Sequence, residues 1–386
     1  MGGEAVTVVA DIGAISASDW DACANPDAAH FNPFVAHAFL KALEDSKSVG
    51  VATGWRPNHL LLRDDSGVTA VAPAYIKHHS QGEYVFDHSW ADAYAQAGGR
   101  YYPKLQIAVP FTPVPGPRFM ARPGPNAAEK RLTVALAAIE VCERLGLSSA
   151  HATFVDAAAQ ADLASLGYLA RTGQQFHWTN QGYRTFDDFL GVFVSRKRKA
   201  VKKERAEALA DGVTIECLTG ADITEAHWDT FFAFYMDTGA RKWGRPYLTR
   251  AFFSHLGQAM ADRCLLVLAK REGRTIAGAL NLIGGDCLYG RYWGAIEHHP
   301  YLHFEVCYYQ AIAFAIARGL KRVEAGAQGE HKLARGYMPV ATHSAHWIAD
   351  ESLRRAVERY LVRERAAVAA ANDDLAEMGP YRRDEA

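Results

Sequence analysis

The stretch Tyr301 to Ala341, YLHFEVCYYQAIAFAIARGLKRVEAGAQGEHKLARGYMPVA, decides the fold. Its apolar residues recur at helical spacing and predict a helix from about His303 to Arg318, stopped by Gly319. A short buried strand, Arg322 to Ala325, is expected next, then the loop Gln328-Gly329-Glu330-His331-Lys332. Polar residues and glycine in unbroken succession after a buried strand mark the floor of a site.

Working outward, the same order of elements occurs twice. Asn58 to Tyr75 reads as a hairpin around Asp65-Ser66-Gly67, and Cys264 to Leu282 as a second around Glu272-Gly273. An amphipathic helix precedes each hairpin, HAFLKAL (His37 to Leu43) and RAFFSHL (Arg250 to Leu256). A glycine-ended helix follows each, AIEVCERLGL (Ala138 to Leu147) and AIAFAIARGL (Ala311 to Leu320). Two lobes are therefore expected, residues 1–185 and 186–386. The first is longer by about 40 residues, which points to an insertion near 78–104, and such insertions sit over sites. Each lobe reads as α/β (α+β), a mixed, mostly antiparallel sheet flanked by helices. Glu351 to Glu377 reads as one long charged helix packed on the second lobe.

Bulk properties narrow the function classes. A chain of 386 residues with 49% hydrophobic and 22% charged content is globular. A net charge of −1 gives no global attraction to DNA or to an anionic membrane. The 6 cysteines form no CxxC pair, so neither a zinc site nor a disulfide framework is expected, and a reducing compartment fits. The N-terminus has neither the basic nor the apolar region of a secretory leader, and no apolar run is long enough to span a bilayer. A cytoplasmic protein, peripheral at most at the inner membrane, is expected. The segment Ser195 to Leu209 places 7 basic residues between Arg196 and Arg205. It is either a solvated helix face or an anion-facing surface for coenzyme, nucleic acid or lipid headgroup.

Candidate site residues fall in both lobes. Glu305 shares a helix face with Tyr309 and Ile312 and is a candidate general base; the alternative is a helix-start acid favoured by the dipole. His331, between Glu330 and Lys332, is the leading base. Lys332 and Arg335, one helical turn apart, suit a phosphate or carboxylate. In the first lobe the Gly/Pro-rich turn Val109 to Leu132 leads into a helix N-terminus and offers Gly116, Arg118, Arg122 and Gly124 as a pyrophosphate seat. The alternative is a rigid turn whose arginines cover helix ends. Tyr292 and Trp293, with Asp87, Trp90 and Tyr102 from the insertion, are candidates for an apolar substrate pocket or for the core.

The stretches NPFVAHAFLKALEDS, GEYVFDHSWADAY, YYPKLQIAVPFTPVPGPR, QFHWTN, SRKRKAVKKER, LHFEVCYYQAI and EAGAQGEHKLARGY resemble FemAB-like tandem members of the GCN5-related N-acyltransferase (GNAT) superfamily. The likeness is to the bacterial group labelled peptidoglycan biosynthesis/recognition, and it spans nearly the whole chain. It implies tandem GNAT-like lobes and transfer of an acyl group to an amine. The donor would be acyl-CoA as co-substrate with no tightly bound cofactor. The acceptor would be a long-chain, sphingoid-type lipid amine, giving a ceramide-like amide, or a cell-wall precursor. The resemblance leaves two alternatives, aminoacyl-tRNA-dependent Fem-type transfer and a non-catalytic recognition protein. It implies a cleft between the lobes where His331 or Glu305 takes the proton and Tyr337 or a backbone N–H steadies the oxyanion. The superfamily turn R/Q-x-x-G-x-G/A is not met at Val109 to Arg118.

Overall fold

The computed structural model describes residues 5–243, 246–327 and 329–382. Gln328, expected in the polar loop, lies outside them. The strands run in chain order as β1 (Ala5–Val9), β2 (Trp55–Pro57), β3 (His59–Asp64), β4 (Gly67–Ala72), β5 (Ala74–Lys77), β6 (Lys104–Ile107), β7 (Met120–Ala121) and β8 (Ser149–Val155). They continue as β9 (Leu169–Thr179), β10 (Thr214–Thr219), β11 (Cys264–Arg271), β12 (Arg274–Ile283), β13 (Cys287–Ala295), β14 (Arg322–Glu324) and β15 (Met338–Ile348).

The chain divides into two compact units. Unit 1 comprises Met1–Ala28, Phe34–Gln174 and Ala341–Ala371; unit 2 comprises Ala29–Pro33, Gln175–Val340 and Asn372–Ala386. The units depart from the expected division at residue 185: the main break falls after Gln174, Ala29–Pro33 belongs to unit 2, and Ala341–Ala371 returns to unit 1. There His343 to Ile348 pair with β8, and Leu353, Val357 and Leu361 of the Glu351–Glu377 helix pack with Trp90 and Tyr101. Three apolar residues at helical spacing hold most of the helix there rather than on the second lobe as the sequence suggests; its last residues, 372–377, belong to unit 2, where Leu375 packs on the core.

In unit 1 the order β1-β3-β4-β7 forms one sheet and β15-β8-β6-β5-β2 the other arrangement of strands. All neighbours are antiparallel except β6 and β8, which run parallel at Leu105↔Ala150 to Ile107↔Ala152. The helix Ala127–Leu145 makes that crossover and ends on Gly146 at φ 62°, a left-handed cap open to glycine. Unit 2 repeats the plan in the order β10-β11-β12-β13-β14-β9. Here β13 and β14 are the parallel pair, Cys287↔Arg322 to Tyr289↔Glu324, and the helical segment Leu302–Ala317 crosses between them before Gly319 at φ 66°. Both expected hairpins are present, β3–β4 and β11–β12. Each unit is thus a mixed, mostly antiparallel sheet flanked by helices, built on a separate core.

Candidate active site

A parallel pair that separates leaves backbone groups and space at the carboxyl ends of its strands, where ligands of α/β sheets enter. In unit 2, β13 parts from β14 after Tyr289. On its other side β13 pairs with β12, where Leu280 faces Tyr292 and Asn281 faces Gly290, so the ladder skips Arg291. This bulge re-aims the Arg291 side chain, as bulges beside sites do. Gly290 fits here because a Cβ would stand 3.2 Å from Asn281 Oδ1.

The opening is a pocket of about 360 Å³ lined by Asn281, Arg291, Tyr292, Trp293, Cys307 and Tyr308, among others. Arg291 donates to the carbonyl of Gly290 at 2.8 Å, and its Nη2 stands 3.7 Å from Glu324 Oε2. The Trp293 ring lies 5.1 Å from that of His303, the two tilted at 54°. Both residues also line an adjoining groove of about 1190 Å³, open to solvent, with Ile296, Tyr301, Leu302 and Phe304. Ile296 is 44% and Tyr301 37% exposed.

The crossover segment is not a uniform α-helix. Glu305–Tyr309 forms a π turn between Leu302–Phe304 and Gln310–Ala317. Such turns insert a residue and rotate the rest of the helix relative to its start. Tyr308 thereby reaches the pocket, and its hydroxyl lies 2.9 Å from Nε2 of the exposed His331. Burial pushes the Tyr308 phenol well above its ordinary value, so it remains an O–H near neutral pH. Sequence reasoning missed Tyr308: three residues after Glu305 it would share that residue's face on an ideal helix, and the π turn at Glu305–Tyr309 alters that register.

The other expected site residues of unit 2 have partners that redefine their roles. Glu305 is fully buried and takes a two-pronged ion pair from Arg205, at 3.0 and 2.9 Å, plus a bond from Gln310 at 2.7 Å. It is not a lone carboxylate on an apolar stripe; it anchors the helix Ser195–Ala208. Tyr337 is fully buried and its hydroxyl points to the Tyr308 carbonyl at 3.4 Å. Arg335 donates to Glu204 at 2.8 Å and to the His331 carbonyl at 2.5 Å, and lies over the Phe304 ring. Lys332 is buried and donates to the Gly326 carbonyl at 2.9 Å. Burial, aided by Arg291, pulls its ammonium down to about 7, so it is a partly neutral amine rather than a fixed cation. The expected Lys332–Arg335 anion clamp is therefore replaced by internal bonds. Glu330 is exposed at the start of the 3-10 turn Glu330–Arg335, and Tyr292 lies against Tyr235 at 5.3 Å.

Unit 1 has the corresponding opening beyond Ile107 and Ala152, and it is filled. Phe111, Val114 and Arg118 are 2%, 0% and 1% exposed. The Gly116 N–H donates to the Phe154 carbonyl at 2.9 Å, lacing the turn to the end of β8. The Arg118 guanidinium donates to the carbonyls of Val114, Pro117 and Gly116 at 2.5, 3.0 and 3.2 Å. Arg122 pairs with Asp19 at 2.6 Å, while Gly124 is exposed. The expected pyrophosphate seat is thus a turn that satisfies itself, the alternative held open by the sequence. Asp87, Trp90 and Tyr102, all within the insertion, lie elsewhere in unit 1: Asp87 and Trp90 are buried, and Tyr102 bonds Ser80 at 2.8 Å.

The sequence profile of the FemAB-like family, described as peptidoglycan biosynthesis/recognition, matches residues 11–383. Among curated proteins none matches. Among solved structures the chain is similar to FemX, with 15% identity and a TM-score of 0.54, over 89% of this chain and 98% of that one. It is also similar to L-PGS from Bacillus licheniformis, with 10% identity and a TM-score of 0.51, over 86% and 98%. A third likeness is to the C-terminal domain of a putative lysylphosphatidylglycerol synthetase from Agrobacterium fabrum, with 9% identity and a TM-score of 0.51, over 88% and 95%. At these identities the likeness is one of fold.

Proposed function

Since the chain belongs to the FemAB-like family, we propose that it is a transferase moving an acyl group from a coenzyme A thioester to an amine, at the opening between β13 and β14. The observation that carries this reading is the open end of that strand pair, with a bulge on the β12 side of β13, beside a hydrogen-bonded Tyr308–His331 couple. A thioester carbonyl entering there meets main-chain groups that the ladder skips at Arg291. The amine attacks the carbonyl carbon, a C–N bond forms, and the C–S bond breaks to release a thiolate. Tyr308 protonates the thiolate, and His331, exposed behind it, passes the amine's proton between the couple and solvent. Glu305 holds Arg205 in place and takes no part in proton transfer.

The rings of Trp293, Tyr301 and Phe304 in the groove, which is lined by Asp237, Glu297, His298 and His299 as well, suit an apolar chain and an acceptor such as a sphingoid-type lipid amine. An amine on a cell-wall precursor is the other acceptor. A second reading, an aminoacyl-tRNA donor, is favoured by the helix Ser195–Ala208. Its residues Arg196 to Lys199 have no ion pair among the described residues and crowd the positive end of the helix, against the dipole.

The test is release of free thiol from acyl-CoA on addition of each member of an amine panel, set beside transfer from aminoacyl-tRNA to the same amines. Amine-dependent thiol release supports the first reading. Transfer from aminoacyl-tRNA alone, lost as salt is raised, replaces it with the second. Inertness with both donors would sink the transferase reading.

A further inference from the structure

Strands β5, β6, β8 and β15 turn Ile76, Leu105, Ala150 and Ala345 into the core of unit 1. The residues alternating with these face the other way. They include Lys77, Lys104, Gln106, His151, Thr153 and His346, none more than 2% exposed. Charged side chains are almost never fully buried unless paired. A buried ion pair is moreover no more stabilising than apolar residues of the same shape. Packing therefore gives no reason for this face.

Lys77 and Lys104 are direct partners across β5 and β6. Burial pulls Lys77 down to about 7, so Lys104 is the lasting ammonium of the pair; it requires anions, and both come from the segment between those strands. Lys104 donates to Glu83 at 2.8 Å, to Asp87 at 2.5 Å and to Ser80 at 2.8 Å, which uses all of its N–H groups. Lys77 stands 3.7 Å from the other oxygen of Glu83 and 3.6 Å above the Trp55 ring. Burial opposes the charge on Lys104, but Glu83 and Asp87 outweigh it and hold the ammonium above its ordinary value.

Three observations mark these carboxylates as occupants rather than fixtures. Asp87 stands at the N-cap of the helix His88–Gln96, yet its side chain caps nothing. Asp11, Ser16, Asp156 and Thr185 at equivalent positions accept a backbone N–H, while Asn126, like Asp87, does not. The Asp87 carboxylate is turned away to Lys104 and to the Tyr101 hydroxyl at 2.6 Å. Next, Asp87 Oδ1, Glu83 Oε1 and Gln106 Oε1 are buried with no hydrogen-bond partner among the described residues. Finally, the helix is bracketed by Gly82 at φ 79° and Gly98 at φ 83°, conformations that favour glycine and suit hinges.

We infer that the polar face of unit 1 is an anion-binding site, that Glu83 and Asp87 fill it as internal stand-ins, and that the segment between Gly82 and Gly98 lifts to admit a ligand bearing a diphosphate or paired carboxylates. On lifting, Asp87 recovers its place as a helix cap, so the open state regains a bond that the closed state forgoes. The site is independent of the β13–β14 opening and of the reaction proposed there.

The test is calorimetric titration with inorganic pyrophosphate and, separately, with glutarate, alongside backbone hydrogen exchange over residues 82–99. One ligand is expected to bind and to speed exchange in that segment; which one does so assigns the phosphate or the dicarboxylate. The double variant Glu83→Gln/Asp87→Asn, which removes the stand-ins, should bind at least about tenfold more tightly. Adding Lys104→Met to that background removes the buried cation without orphaning a carboxylate, and should weaken binding by at least about tenfold from the double variant. Exchange in the wild type left unchanged by both ligands, or a double variant that binds no better than wild type, would overturn the inference.

Discussion

The two units share a parallel strand pair and a crossover helix, and differ in what stands where the strands part. In unit 1 the chain after β6 doubles back, and Arg118 binds the carbonyls of its own turn. In unit 2 the chain after β13 runs on past the bulge at Arg291 and leaves a lined pocket. A repeated architecture thus places one filled and one open site at corresponding positions. The lesson is that the residues meant for an anion, arginines beside a glycine-rich turn, are as well suited to satisfying that turn's carbonyls. Only the tertiary path distinguishes the two uses.

That difference can be broken first at the filled opening. Arg118→Leu leaves buried carbonyls without donors and should lower stability by about 3 kcal/mol. Measured by denaturant unfolding, this loss should come with an unchanged kcat. The converse is expected at Tyr308. Tyr308→Phe keeps the ring but removes the proton carrier, and should cut kcat by about 100-fold with little change in the unfolding midpoint. A Tyr308→Phe enzyme of full activity would move the chemistry away from this pocket.

Acid should act on unit 1. Burial, with Lys104 adding to it, pulls the His151 imidazole down to about 3, and burial with His151 beside it holds His346 well below its ordinary value. Their Nδ1 atoms are 2.7 Å apart, so at least one must be an unprotonated acceptor. Unfolding frees these rings to bind protons below about 6.5, while the folded state refuses them, so stability falls as pH falls. Each histidine should contribute a loss of about 2 kcal/mol between roughly pH 7 and 5. Tryptophan fluorescence during an acid titration would follow it, and a His151→Gln variant should flatten the slope. The smallest effect is expected for Glu305→Gln, which keeps hydrogen bonds to Arg205 but removes the charge. Since Arg205 is partly exposed, about 1 kcal/mol should be lost, with kcat within a few-fold of wild type.

Much of the fold is legible in the sequence because local rules settle it. The hairpins at Asp65-Ser66-Gly67 and Glu272-Gly273 come from alternating strands around turn residues, and the helix ends at Gly146 and Gly319 from the left-handed cap. The long C-terminal helix is legible with its bounds, but its partner is not, since Leu353, Val357 and Leu361 fit any apolar surface. The site is less legible. The π turn at Glu305–Tyr309 changes which face Tyr308 occupies, and nothing in the periodicity announces it. The partner of Glu305 is Arg205, 100 positions earlier and inside a run that reads as a solvated face. Arg291 is aimed by a bulge between strands, a property of register rather than of composition. The polar face of unit 1 is written in Lys77, Lys104 and His151, but alternation alone would place those residues toward water.

The claim that the β13–β14 opening receives the donor is tested most directly by photocrosslinking. An acyl-CoA carrying a photoreactive group next to its carbonyl would be irradiated with the enzyme, and the labelled peptides read by mass spectrometry. Adducts on Tyr292, Trp293 or the His303 to Tyr308 segment are expected; adducts confined to Val109 through Arg118 would contradict the account.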